Sequence, residues 1–90
     1  MSKNNLKKIR KEIDSADKKI IQALALRFKL TKKIAKFKKP IKIYDEPREK
    51  QIIKNVLTFA QSKNLNKTFS QKIYKEILKE SKKQLTNMLK

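Results

Sequence analysis

LKKIRKEIDSADKKIIQALALRFKLTKKIAKFKK, from Leu6 to Lys39, is the stretch whose reading decides the fold. Its apolar residues Leu6, Ile9, Ile13, Ala16, Ile20, Leu24, Leu30, Ile34 and Phe37 recur every three or four positions, which keeps a stripe on one helical face. No Gly or Pro interrupts it, so the spacing predicts one continuous helix over 6–39, roughly 34 residues and about 50 Å at 1.5 Å per residue. A compact chain of this size has a radius of gyration near ~12 Å. Much of the stripe must therefore find its cover on another chain, and the simplest arrangement is a two-fold homodimer in which the long helices pack together.

Composition narrows the chemistry. Ninety residues, 38% hydrophobic with six aromatics, make one domain over 1–90 with a thin core for a monomer. There is no Cys, no His and no Gly. These absences remove disulfides, thiolate nucleophiles, serine-type triads, ordinary zinc sites and Gly-rich phosphate loops, so neither a metal nor a cofactor is expected. Any chemistry falls to Arg, Lys, carboxylates, amides and hydroxyls. The first residues, MSKNNLKKIRKEID, carry no apolar core of signal-peptide length, and no run approaches the ~20 residues of a membrane span. A cytoplasmic protein without a membrane partner is the expectation.

The net charge of +18 suggests nucleic acid or an anionic surface. The lysines are nevertheless spread along every segment rather than gathered in a block, as a solvated surface would have them. Against this background only three of the 26 basic residues are Arg: Arg10, Arg27 and Arg48. A guanidinium holds a carboxylate through two parallel hydrogen bonds and an ammonium does not. The three arginines thus read either as carboxylate binders or as Lys substitutes in surface ion pairs. Arg27, set between Leu26 and Phe28, suits a partly buried cation with an anionic partner. Lys38, 11 residues on, would lie three turns plus about 20° further along the same helix and lean toward the same pocket.

Beyond the first helix, Lys39-Pro40 is a stop, because the residue before Pro is pushed out of the α region. Ile41, Ile43 and Tyr44 form a short extended linker. Asp45-Glu46-Pro47-Arg48-Glu49 then opens a second helix, to about Ser62, with an acidic first turn and an early Pro. Asp45 and Glu49 are a cap and a dipole-favoured acid on one reading, and functional carboxylates beside Arg48 on the other. Asn64 to Lys67 is a turn. A third helix follows over about 67–88, with Phe69, Ile73, Ile77 and Leu78 on its apolar side and Tyr74 beside them. The fold class is all-α, three helices per chain.

The pattern Leu6-x-x-Ile9-Arg10-x-x-Ile13-Asp14-x-x-Asp17, then Arg27 with Lys38, then Ile43-Tyr44-Asp45-x-x-Arg48-Glu49, then Ser81 near the end of the third helix, resembles the all-helical (type II) chorismate mutases. The resemblance runs from about Leu6 to Leu85. It implies an intertwined homodimer that converts chorismate to prephenate in aromatic amino acid biosynthesis, through a Claisen rearrangement without cofactor. One C–O bond breaks while a C–C bond forms, and no proton transfer or covalent intermediate is needed. By this resemblance Arg27 and the partner chain's own Arg10 clamp the two substrate carboxylates, and Lys38 donates to the ether oxygen. Arg48 supports the carboxylate end, Asp45 and Glu49 meet the ring hydroxyl, and Ser81 contacts a carboxylate. All three arginines fall on family positions, which random placement among the basic residues would achieve roughly once in 2,600 arrangements.

Helix geometry favours a shared site. Arg10 and Arg27 are 17 residues apart, about 25 Å along one helix and roughly 100° around it, too far to grip one small diacid from the same chain. One position departs from the family pattern. Where the family has Ser-x-x-x-Gln, with Gln as a second donor to the ether oxygen, this chain reads Ser81-Lys82-Lys83-Gln84-Leu85. Either the last turn is distorted and Gln84 reaches in, or Leu85 occupies the place and the donor is missing. An isochorismate-pyruvate lyase on the same scaffold, a catalytically silent dimer module and a basic helical nucleic-acid binder are the competing readings. The last of these explains the charge but not why Arg stands at three separated positions.

Overall fold

The computed structural model describes residues 3–37 and 45–88. Three α-helices follow one another: α1 (Lys3–Ala35), α2 (Glu46–Ser62) and α3 (Lys67–Met88). No strand occurs among the described residues, and none of their helices is long and apolar enough to cross a membrane. The chain forms two compact units, Met1–Thr31 and Lys32–Lys90.

The first unit is the body of α1. The helix is unbroken over 33 residues, as the absence of Gly and Pro allows, and none of its residues is buried. Leu6, Ile9, Ile13, Ile20, Leu30 and Ile34 are all exposed, and Leu24 is half-covered. A lone helix cannot cover such a stripe of large aliphatic side chains, which favours burial against another surface, each side chain contributing about 1.5–3 kcal/mol when fully covered.

The end of α1 corrects the expected boundary at Lys39. The helix stops at Ala35, and Lys36 and Phe37 form a turn. The backbone N–H of Lys36 donates to the Lys33 carbonyl at 3.2 Å and that of Phe37 to the Ile34 carbonyl at 2.9 Å, so the ladder tightens from i−4 to i−3. Phe37 is 89% exposed, and no packing rewards another α-helical turn there. The α-helical register that begins at Lys3 thus ends at Ala35. Lys38, the Lys39-Pro40 stop and the Ile41–Tyr44 linker lie outside the described residues.

The second unit contains α2 and α3, antiparallel neighbours joined by a tight connection whose chemistry is local. Asp45 caps α2, its Oδ1 accepting from the Arg48 N–H at 3.1 Å, and Pro47 sits in the first turn where no donor is needed. At the other end Asn64 adopts φ 60°. The N–H of Leu65 donates to the Ala60 carbonyl at 2.9 Å and that of Asn64 to the Gln61 carbonyl at 3.1 Å, the pair of bonds of a Schellman termination. Such an end calls for a left-handed residue, usually Gly; in a chain without Gly, Asn takes the place. Asn66 then caps α3, accepting from the Phe69 N–H at 2.8 Å.

The α2–α3 seam is narrow. Ala60, Ser70, Leu78, Ser81 and Leu85 are buried, with Ile52, Ile53, Val56, Leu57, Tyr74 and Ile77 half-covered around them. This shifts the expected inner face of α3. Leu78 is buried as predicted, but Phe69 and Ile73 are 57% and 40% exposed, and two serines take the inward positions. Small side chains let the helix axes approach, and the larger residues turn to the flank, where they are left for other contacts. Ser70 is satisfied in the seam by donating its Oγ proton to the Asn66 carbonyl at 2.8 Å.

Candidate active site

The residues singled out in the sequence are divided between the two units. Arg10, exposed, and Arg27, half-covered, are on α1; Asp45, Arg48, Glu49, Ser81, Gln84 and Leu85 are in the α2–α3 unit. Because α1 is continuous from Lys3 to Ala35, the 17-residue separation of Arg10 and Arg27 is about 25 Å of helix.

Within the second unit, a groove of about 740 Å³ runs between α2 and α3. Its volume lies within the ~300–1,000 Å³ of small-molecule sites. Ile53, Leu57 and Leu78 give it an apolar floor. Its walls carry five lysines, Lys50, Lys54, Lys75, Lys79 and Lys82, against the two acids Glu46 and Glu49, a net of +3. An anion with an apolar body matches that lining better than a cation or a neutral polar ligand.

Glu49 is the member of the predicted set that lines this groove. It projects from the first turn of α2, and its Oε1 lies 3.2 Å from Lys82 Nζ on α3. Asp45 Oδ1 caps α2. Arg48 is exposed, and its Nη1 donates to Gln51 Oε1 at 2.7 Å, one turn along the same helix. A side-chain amide is a weak partner for a guanidinium, and a carboxylate that arrived there could displace it.

The last turns of α3 bear on Gln84 and Leu85. The helix is regular to Met88, so Leu85 follows Ser81 at i+4 onto the buried face, and Gln84 is turned aside. Gln84 is half-covered, and its Nε2 donates to Glu80 Oε1 at 3.4 Å, one turn back on the same helix. The buried position four residues after Ser81 carries the aliphatic Leu85. Lys82 is the residue that sequence reasoning passed over, lost among many lysines. The available signal was its register, four residues after Leu78 and hence about 40° from it, on the groove side of the helix.

The chain is thus all-helical among its described residues, with one long helix, a capped Asp-x-x-Arg-Glu helix start and a lysine-walled groove. The model of the chorismate mutase type II family matches residues 9–85, and the chain belongs to that family. Over 82 residues it is 38% identical to a bifunctional chorismate mutase/prephenate dehydratase of Buchnera aphidicola subsp. Schizaphis graminum (strain Sg). The match covers 89% of this chain and 21% of that protein, so the chain spans about a fifth of the length of this curated relative. No solved structure matches the chain.

Proposed function

We propose that the chain is a chorismate mutase, rearranging chorismate to prephenate in aromatic amino acid biosynthesis, and that it works as a homodimer. The observation that carries the reading is the groove in which Glu49 stands over an apolar floor inside a wall of lysines, in a chain of this family. Chorismate has the matching chemistry, two carboxylates and a hydroxyl on an apolar ring. The reaction is unimolecular, so the protein has two tasks: to hold the compact reactive conformer and to stabilise the negative charge that grows on the ether oxygen. Side chains limited to Arg, Lys, carboxylates, amides and hydroxyls suffice for both.

In this proposal Arg27 grips one carboxylate and Arg10, supplied by the second chain, grips the other. Lys38 donates to the ether oxygen, Arg48 and Ser81 steady the carboxylate end, and Glu49 with Asp45 receives the ring hydroxyl. The 25 Å of unbroken helix between Arg10 and Arg27 supports the two-chain arrangement, as does the uncovered aliphatic stripe of α1. Leu85 offers no second donor to the ether oxygen. Removal of one such donor typically costs on the order of 10²-fold in turnover, so a modest kcat is expected.

Purified chain incubated with chorismate is expected to consume it and yield prephenate. Unchanged chorismate would overturn the proposal, and pyruvate released from isochorismate in its place would assign the same basic site to a lyase. In sedimentation at micromolar concentration the chain is expected at twice its 10.7 kDa mass. A species of 10.7 kDa would remove the basis for a shared site.

A further inference from the structure

The mutase reading leaves Lys82 without a role. Lys82 follows the buried Ser81 on α3 and reaches across the groove to Glu49 on α2, with Nζ 3.2 Å from Oε1. The pair is partly withdrawn from water, Glu49 to 23% and Lys82 to 36% side-chain exposure. It differs in kind from the Lys50–Glu46 pair at 3.4 Å, which joins successive turns of α2 in open solvent. A pair within one exposed helix orients little. A half-covered pair between two helices fixes the direction of both side chains.

Resting on that reading, we propose that Lys82 is a positioning residue of the site: it aims the Glu49 carboxylate into the groove and offsets its charge where a dianionic substrate must approach. A carboxylate is otherwise a poor neighbour for such a substrate, because like charges a few ångströms apart repel strongly when water is partly excluded. Lys82 makes the neighbourhood acceptable. It leaves a free Glu49 oxygen lone pair to accept the substrate hydroxyl, since a carboxylate has about four acceptor sites and the ammonium uses one.

The test is steady-state kinetics on wild type, Lys82→Met, Lys82→Arg, Glu49→Gln and the Lys82→Met/Glu49→Gln double variant, with prephenate detection. Lys82→Met is expected to lower kcat/KM about tenfold, chiefly through KM, because an unopposed Glu49 repels the substrate in ground and transition state alike. Added salt should narrow that gap by screening the repulsion. Lys82→Arg keeps a cation within reach and should stay within about threefold of wild type. In the Glu49→Gln background the further loss from Lys82→Met should be less than about twofold, since Lys82 acts through Glu49. A merely structural lysine would instead lower the thermal midpoint and cost the same factor in both backgrounds, which overturns the proposal. So does a Lys82→Met enzyme with wild-type kcat/KM. Should Lys82→Met aggregate, Lys82→Gln is judged by the same criteria. A wild-type chain inert toward chorismate overturns the mutase reading and this inference together, whereas an active wild type with an indifferent Lys82→Met overturns this inference alone.

Discussion

Lysine in place of Arg27 is expected to lower kcat/KM for chorismate at least about a hundredfold, although the charge is unchanged. The guanidinium is a rigid planar fork that meets both oxygens of a carboxylate, and an ammonium on a flexible stem offers a single point of contact. In a reaction whose catalysis is conformer selection, that second contact does more than add affinity. It fixes the angle at which the carboxylate is held, and small misplacements of the reacting centres cost orders of magnitude. The substitution should not disturb the helix. The Arg27 backbone carbonyl accepts the Thr31 Oγ1 hydrogen bond at 2.8 Å, and a lysine, itself a good helix former, supplies the same carbonyl. Helical circular dichroism should therefore be preserved while prephenate formation falls. Near-normal turnover would make Arg27 a surface cation and remove the carboxylate clamp from the mechanism.

The second large effect is a recovery. If each pocket combines Arg27 of one chain with Arg10 of the other, Arg10→Ala and Arg27→Ala homodimers each have two crippled sites. A mixed dimer gathers both lesions in one pocket and leaves the other whole. Mixing the two inactive proteins and allowing subunit exchange should restore activity. At statistical exchange about half the dimers are mixed and each has one good site, so recovery should approach roughly a quarter of wild type. The expectation follows from the length of α1, since about 25 Å separates the two arginines on one rod. Mixed dimers that are present but inactive would put both arginines in one chain's site, or make Arg10 structural.

Where helix ends depend on chemistry within a few residues, they were legible in advance. The start of α2 follows from Asp45 and Pro47, and the α2–α3 turn from Asn64 and Asn66; Asp45, Asn64 and Asn66 bond to backbone groups three or four residues away. The end of α1 was less legible. Its periodicity continues to Phe37, but the helix needs packing to extend its last turn, and a phenylalanine left in water provides none. The inner face of α3 shows the same limit. Hydrophobicity nominated Phe69 and Ile73, whereas the close approach to α2 selected Ser70 and Ser81 and left the larger side chains on the flank.

By itself the sequence determined the three-helix chain, the caps, the arginine positions and the angular relation of Ser81 to Leu85, because all of these follow from helical periodicity and local hydrogen bonding. Only the tertiary structure decided that α3 stays regular to Met88, so that Leu85 and not Gln84 joins the buried face. It also decided the pairing of Glu49 with Lys82. Those two residues are 33 apart in the chain, and among so many lysines no local rule selects one partner; the choice is made by the register in which two helices dock, set by the small residues of the seam between them.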